Sequence, residues 1–146
     1  MTFEERIDTD AAPDKAFAYL ADWKNLPVWD PMIPHVEQIT PGPVGVGTRF
    51  AVTLSVFGIS NTFDYHVENY EPLRKAVMMG SGTAASIIDT ISVTSRGKGS
   101  RVRWKAEIKL WGPLQLLDPV TTWMFRPAIR LAVHNLEREL DALAAG

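Results

Sequence analysis

Residues 86–110 read SIIDTISVTSRGKGSRVRWKAEIKL, and this stretch decides the fold. With the exception of Asp89, apolar residues take every second position from Ile87 to Val93 and again from Val102 to Leu110. Mostly polar residues lie between them, and an Arg-Gly-Lys-Gly turn at 96–99 separates the two runs. A period of two is typical of a strand with one buried and one solvated face. The stretch therefore predicts an antiparallel hairpin with a dry face and a wet face.

The same alternation extends toward the N-terminus. Phe50–Val56 and Ile59–Val67 are two further alternating runs on either side of a short turn, and another strand lies around residues 75–80. A short strand also covers residues 2–8. Short turns between alternating runs are typical of an antiparallel meander. We therefore expect a curved antiparallel sheet of about seven strands, one at the start of the chain and six within residues 33–110.

Two helices are predicted between the first strand and the rest. Residues 12–14, Ala-Pro-Asp, begin the first, since proline suits the first helical position and an acid favours the positive end of the helix dipole. This helix is expected to run to about Asp22. Pro27 and Pro31 then allow only a short second helix before the chain extends.

The C-terminal segment returns to helical spacing. Asp118-Pro119 predicts the start of a long helix. Pro127 is expected either to kink this helix or to separate residues 119–126 from the remainder. The element order is therefore β-αα-β6-α, an α+β fold. The predicted buried stripe of the helix consists of Ile129, Val133, Leu136, Leu140 and Leu143.

Composition narrows the classes of function. The 146 residues include 46% hydrophobic and 22% charged side chains, carry a net charge of −2, and contain no cysteine. We expect a single domain over residues 1–146 that binds no nucleic acid, because a polyanion binder needs a strongly positive face. Neither disulfides nor thiolate metal sites can form, and His35, His66 and His134 lack paired-ligand spacing, so no metal or cofactor is predicted.

The chain shows no sign of membrane insertion. No run approaches the roughly 20 apolar residues that span a bilayer, and Glu4 and Glu5 stand where a signal peptide would be apolar. The prediction is a soluble cytoplasmic protein, either a monomer or a homodimer, without stable membrane insertion.

The element order predicts an internal pocket. A strongly twisted sheet curls, and one long helix with two short ones is too little to fill the hollow. The expected lining combines inward side chains of the strands with aromatic residues from the helices. The candidates are Trp29, Phe50, Phe63, Tyr65, Met78, Asp89, Ile91, Trp104, Trp123 and Phe125. Taken singly, an aromatic residue of this kind more often fills an ordinary close-packed core, so the predicted pocket depends on the architecture and not on any one residue.

Several short motifs occur in a characteristic order along the chain. They are APDKAFAYLAD at 12–22, WDP at 29–31, GVGTRF at 45–50, YEP at 70–72 and GSRV at 99–102, followed by the amphipathic C-terminal helix. In these features the chain resembles the START-like or SRPBCC superfamily, which has the Bet v 1-like helix-grip fold. Within that superfamily it is similar to the polyketide cyclase/dehydrase group of small bacterial proteins.

The resemblance implies an internal cavity for lipids, polyketides or other aromatic molecules, and no single reaction. Three hypotheses follow. The first is a carrier or sensor that binds a hydrophobic small molecule, the second a polyketide cyclase or aromatase, and the third a protein-interaction module with a vestigial cavity. An enzyme should bring at least two polar groups together in the cavity, whereas few polar candidates are evident, so the residues favour binding over catalysis.

Asp89 is the most informative polar residue of the sequence. The alternation that points Ile87 and Ile91 inward does the same for Asp89, and a carboxylate in an apolar cavity needs a partner or a raised pKa. Arg126 lies three residues before Ile129 and is a candidate partner. Asp89, with Tyr65 and Arg126, is therefore the candidate acid/base or ligand-orienting group, unless a register slip or a strand end leaves it in solvent.

Two loops are candidate covers for the pocket. Residues 110–117, LWGPLQLL, are apolar enough to fold over a pocket mouth or to contact a membrane or a partner, and we expect pocket cover. The glycine-rich segment 41–47 is expected to be a flexible connection between the second and third strands, and it is also a candidate lid.

Overall fold

The computed structural model describes residues 1–145. In this range the strands form one antiparallel sheet with the spatial order β1-β7-β6-β5-β4-β3-β2. The predicted strand number and order along the chain are confirmed. The strands are β1 Thr2–Thr9, β2 His35–Gln38, β3 Arg49–Val56, β4 Ile59–Glu71, β5 Lys75–Ser81, β6 Ala85–Arg96 and β7 Gly99–Leu110.

The helices occupy the predicted places. Helices α1 and α2 connect β1 to β2, and α3 follows β7. Short 3-10 turns precede α2 and α3, at Trp23–Asn25 and Gly112–Leu117. No helix within residues 1–145 combines the length and the apolar character needed to cross a bilayer. The helix bounds are α1 Pro13–Ala21, α2 Leu26–Trp29 and α3 Asp118–Ala145.

The hairpin of residues 86–110 forms as predicted, with its turn at residues 96–99. Ser95 pairs with Ser100 across the turn, and ten residues along the ladder Ala85 pairs with Leu110. Asp89 lies opposite Ala106 of β7 on one side and opposite Met78 of β5 on the other, so it belongs to a central strand. A register slip or a strand-end position for Asp89 is therefore ruled out.

The C-terminal half of α3 packs against the concave side of the curved sheet. Ile129, Leu136 and Leu140 of the predicted stripe are buried, and so is Ala132, which lies on the same face. Such fully buried apolar side chains supply most of the stabilisation of a helix that docks on a sheet. The N-terminal half of α3 is largely exposed; its Trp123 side chain is 74% exposed.

Helix α3 runs without a break through Pro127. The alternative in which residues 119–126 form a separate segment is therefore wrong. Proline removes the hydrogen bond to the carbonyl of Trp123, four residues earlier. Both residues are exposed, so water can satisfy that carbonyl. At the start of the helix, Asp118 accepts a hydrogen bond from the Met1 ammonium through Oδ2, at 3.2 Å.

Candidate functional site

A cavity of about 80 Å³ lies between the sheet, the α1–α2 segment and α3. Strands β1, β3, β4, β6 and β7 line it from the concave side of the sheet, and Phe125 and Ile129 line it from α3. Its wall is mainly apolar. The predicted hollow is thus present, because α3 buries its leucine-rich half and only two of its residues reach the cavity.

Six of the ten predicted lining residues face this cavity: Trp29, Tyr65, Asp89, Ile91, Trp104 and Phe125. The other four do not. Phe50, Phe63 and Met78 are buried in solid core. There the Phe50 ring lies 6.2 Å from the Trp23 ring, and Phe63 packs over Gly82. Trp123 points away from the cavity toward a surface groove.

The α1–α2 segment supplies lining residues that sequence reasoning missed. They are Leu20, Trp23, Leu26, Asp30, Met32 and Ile33. Trp23 and Asp30 are each 3% exposed, although they flank a short helix in a segment without periodic patterning. The Asn135 side chain donates a hydrogen bond to the Trp29 carbonyl oxygen, at 3.1 Å, and so ties this segment to α3. The Trp-Asp-Pro motif at 29–31, which in the sequence indicated only the family resemblance, contains two buried lining residues of this segment, Trp29 and Asp30.

Asp89 is buried in the cavity wall with two neutral donors. The Tyr65 hydroxyl donates to its Oδ2 at 3.2 Å, and the Trp104 indole Nε1–H donates to its Oδ1 at 3.1 Å. Burial raises the pKa of Asp89 to about 7; the two hydrogen bonds oppose this rise, and the nearby charge of Asp30 adds to it. Near neutral pH, Asp89 is therefore poised between the carboxylic acid and the carboxylate.

Asp30 is a second buried carboxyl group in the same cavity. It follows the last residue of α2, and its Oδ1 accepts a hydrogen bond from the Met32 backbone N–H at 3.0 Å. Burial raises the pKa of Asp30 to about 6, and the Met32 hydrogen bond opposes the rise. The cavity thus contains two acids that ionise close to neutral pH, where an ordinary aspartate is fully ionised.

The Tyr65 ring is held in place by its contacts with Gly80 on the neighbouring strand and with the Trp23 ring. Tyr65 pairs with Gly80 of β5, where a Cβ atom would clash with the tyrosine ring, so only glycine permits this ring position. The Trp23 ring packs edge-on against it at 4.6 Å between centroids. Burial, followed by the charge of Asp89, raises the pKa of Tyr65 well above its ordinary value. Tyr65 is therefore a fixed hydrogen-bond donor.

The predicted contact between Asp89 and Arg126 is wrong. Arg126 is exposed and lines surface grooves, one of them with Phe57 and Trp123. On α3 the residues that reach the cavity are Phe125 and Ile129, four positions apart and hence on one face. Arg126 lies one residue, about 100°, away from Phe125 around the helix, which turns it to the surface.

Neither loop that was expected to cover the pocket does so. None of residues 110–117 lines the cavity, and Leu116 is 82% exposed. The glycine-rich segment does connect β2 to β3, as predicted, but it does not line the cavity either. It is tied to β4 by the backbone hydrogen bond from Gly47 N to the Val67 oxygen, at 2.9 Å. The candidate-lid hypothesis for this segment is therefore wrong for this conformation.

The rim of the cavity consists of half-buried side chains. Met32, Leu54, Ile108 and Phe125 line the cavity while keeping part of their surface exposed. The Phe125 ring stacks on Phe57 at the tip of the β3–β4 hairpin, with 6.5 Å between centroids. The volume of about 80 Å³ is roughly half that of a ~150 Å³ cavity that takes up benzene. A ring-sized guest therefore requires these rim side chains to move outward.

A curved sheet that packs around a C-terminal helix and leaves an apolar cavity defines the helix-grip fold class. The chain belongs to the family described as polyketide cyclase/dehydrase and lipid transport, whose family model matches residues 1–141. This confirms the resemblance to the START-like superfamily and its polyketide cyclase group. No curated protein is significantly similar to the chain in sequence.

Solved structures share the fold along nearly the full chain. The protein TTHA0849 from Thermus thermophilus has a TM-score of 0.80 at 16% identity, covering 97% of this chain and 98% of that one. The Zhui aromatase/cyclase from Streptomyces sp. R1128 also has a TM-score of 0.80, at 11% identity, covering 97% and 93%. A START superfamily protein from Mycobacterium smegmatis has 0.69 at 15% identity, covering 92% and 98%. At sequence identities this low, the similarity shows only that the fold is shared.

Proposed function

We propose that this protein binds a hydrophobic small molecule, a lipid or a polyketide-like aromatic compound, inside the cavity between its sheet and α3. The observation that carries the proposal is an apolar cavity whose rim side chains are only half-buried, so that a guest can enter without unfolding the core. Membership in a family that includes lipid transport supports it. As predicted from the sequence, we place this function in the cytoplasm, in a monomer or a homodimer.

The proposal is tested with the neutral hydrophobic dye N-phenyl-1-naphthylamine, whose fluorescence rises in apolar surroundings. Ala106 lines the cavity and is 4% exposed. We expect the dye to bind the parent protein and Ala106→Leu to weaken binding at least about tenfold, because the larger side chain occupies the cavity. Arg103→Leu adds the same side chain to an exposed position of the same strand and is the matched control.

Thermal unfolding of both variants shows whether the fold is retained. Equal dye binding by the parent protein and by a folded Ala106→Leu variant would place the dye outside the cavity and contradict the proposal. A failure of the parent protein to bind the dye, and to retain any co-purified compound in native mass spectrometry, would favour the interaction-module hypothesis instead.

A second candidate function, a cyclase or dehydratase, is favoured by the meeting of Asp89, Tyr65 and Asp30 in one cavity. Between the pKa values of about 6 and about 7, Asp30 is mainly carboxylate and Asp89 mainly neutral acid. Asp30 could then take a proton from a carbon next to a carbonyl, while Asp89 gives its proton to the hydroxyl that leaves as water. A carbon–carbon double bond forms. Asp30 then loses the proton it gained and Asp89 regains one, which returns Asp30 to the carboxylate and Asp89 to the neutral acid.

The β-hydroxyketone 4-hydroxy-4-phenylbutan-2-one tests this second function, because loss of water yields an enone that absorbs in the near ultraviolet. We expect turnover with a maximum between pH 6 and 7 that Asp89→Asn and Asp30→Asn each abolish. Turnover by the parent protein no faster than by Asp89→Asn would leave binding as the sole proposal.

A further inference from the structure

The titratable groups that line the cavity are all acids. Among the described residues that line it, the titratable groups are Asp30, Asp89 and Tyr65, and none of the lining residues is lysine, arginine or histidine. Three elements contribute these groups: α2 through its C-cap residue, β6 and β4. A ligand in this cavity therefore meets two carboxyl groups and no protein cation.

The hydrogen-bond donors that the protein supplies to these carboxyl groups are all neutral, and for Asp30 they reach only one oxygen. Both oxygens of Asp89 accept from neutral groups, the Tyr65 hydroxyl and the Trp104 indole. Asp30 accepts one hydrogen bond at Oδ1, while its Oδ2 accepts none from residues 1–145. Neutral donors orient a carboxylate but leave its charge uncompensated, and an uncompensated buried charge is strongly unfavourable. The ionised form of either carboxyl group therefore lacks a cation as its complement.

The walls around the carboxyl groups are aromatic. Three indole rings, those of Trp23, Trp29 and Trp104, line the same cavity as Tyr65. The Trp29 and Trp104 rings stand nearly perpendicular, at 87° with centroids 5.5 Å apart. Indole faces attract ammonium groups, and the attraction grows when the cation is removed from water. Carboxylates beside several indole rings are the combination that recognises organic cations.

From this juxtaposition we propose that the preferred ligand is an apolar molecule that carries a protonated amine, held between Asp30, Asp89 and the surrounding indole rings. The inference rests on the proposed binding function and specifies its ligand class. Fatty acids and other anionic amphiphiles are excluded from the cavity, because their carboxylate would face two further carboxylates. Uncharged alcohols bind less tightly than amines, since they donate a hydrogen bond but bring no charge.

Three probes that differ only in the head group test the proposal: 4-phenylbutylamine, 4-phenylbutan-1-ol and 4-phenylbutyrate. At pH 8, where both acids are ionised, calorimetric titration should show the amine binding about tenfold or more tightly than the alcohol, and the carboxylate binding most weakly. At pH 5 both acids are mainly neutral, and the preference for the amine should disappear. Tyr65, the other titratable group that faces them, stays neutral throughout.

Asp89→Asn and Asp30→Asn keep the side-chain shape and each should remove most of the amine preference while sparing alcohol binding. Asp10→Asn makes the same charge change at an exposed site and should leave all three affinities unchanged. If the alcohol binds and the amine shows no preference, or keeps its preference in both cavity variants, the amine proposal is overturned and the binding function stands. Binding of none of the probes overturns both.

Discussion

Asp89→Asn should change how the stability of the protein depends on pH. Burial raises the pKa of Asp89 from 3.8 to about 7, so between pH 4 and pH 7 the folded protein holds a proton that the unfolded chain releases. Stability therefore falls as pH rises through this window, and the contribution of the neutral carboxyl is lost above it. At about 1.4 kcal/mol per pH unit, the loss amounts to about 4 kcal/mol.

Asparagine resembles the neutral acid in shape and never ionises. The variant should therefore match the parent protein near pH 4 and be more stable by about 4 kcal/mol at pH 8. Urea unfolding followed by tryptophan fluorescence, at half-unit steps from pH 4 to pH 8, measures the two curves. Their difference cancels groups that titrate equally in both proteins. Asp30→Asn should also be more stable than the parent protein at pH 8, by about 3 kcal/mol, since burial raises the pKa of Asp30 to about 6.

Parallel curves for the parent protein and Asp89→Asn would refute this reasoning. They would mean that Asp89 ionises as readily in the folded protein as in the unfolded chain, and hence that it is solvated rather than buried beside Tyr65 and Trp104. An Asp89→Asn variant less stable than the parent at pH 8 would contradict the reasoning equally, because it would show that the fold favours the charged form.

Three further substitutions and one exposed control test the packing of the protein. Gly80→Ala should cost about 1–3 kcal/mol in urea unfolding, because the added methyl group displaces the Tyr65 ring; an unchanged midpoint would show that the ring is free to shift. Asn135→Ala should cost about 1 kcal/mol, by loss of the hydrogen bond to Trp29, and should speed hydrogen exchange in α2. Leu136→Ala should cost about 2–5 kcal/mol, since Leu136 is fully buried, whereas the exposed Leu131→Ala should change stability by less than about 1 kcal/mol.

The sheet could be predicted from sequence because its information is local. In the hairpin of residues 86–110, successive side chains point in turn toward the core and toward the outer face of the sheet. The period of two in the sequence therefore identifies the strands and also predicts that Asp89 points inward. The helical stripe of α3 was predictable for the same reason, although half-burial of Val133 and Leu143 and the burial of Ala132 depend on how the helix docks.

The cavity lining was less predictable from the sequence. Alternation shows which side chains point toward the core, but not whether the space in front of them is filled or empty. Phe50, Phe63 and Met78 do face inward, yet they lie where Trp23 and neighbouring residues fill the space. Asp30 was not among the predicted lining residues because it lies between two prolines in a segment without periodicity. It becomes buried only when α2 docks beside α3.

Intermolecular NOEs between 4-phenylbutylamine and the methyl groups of the protein test most directly whether the cavity is the binding site. We expect contacts from the probe's ring to Ile87, Ile91 and Ala106, which line the cavity. Contacts confined to the exposed apolar residues around the start of α3, such as Leu116 and Met124, would contradict internal binding.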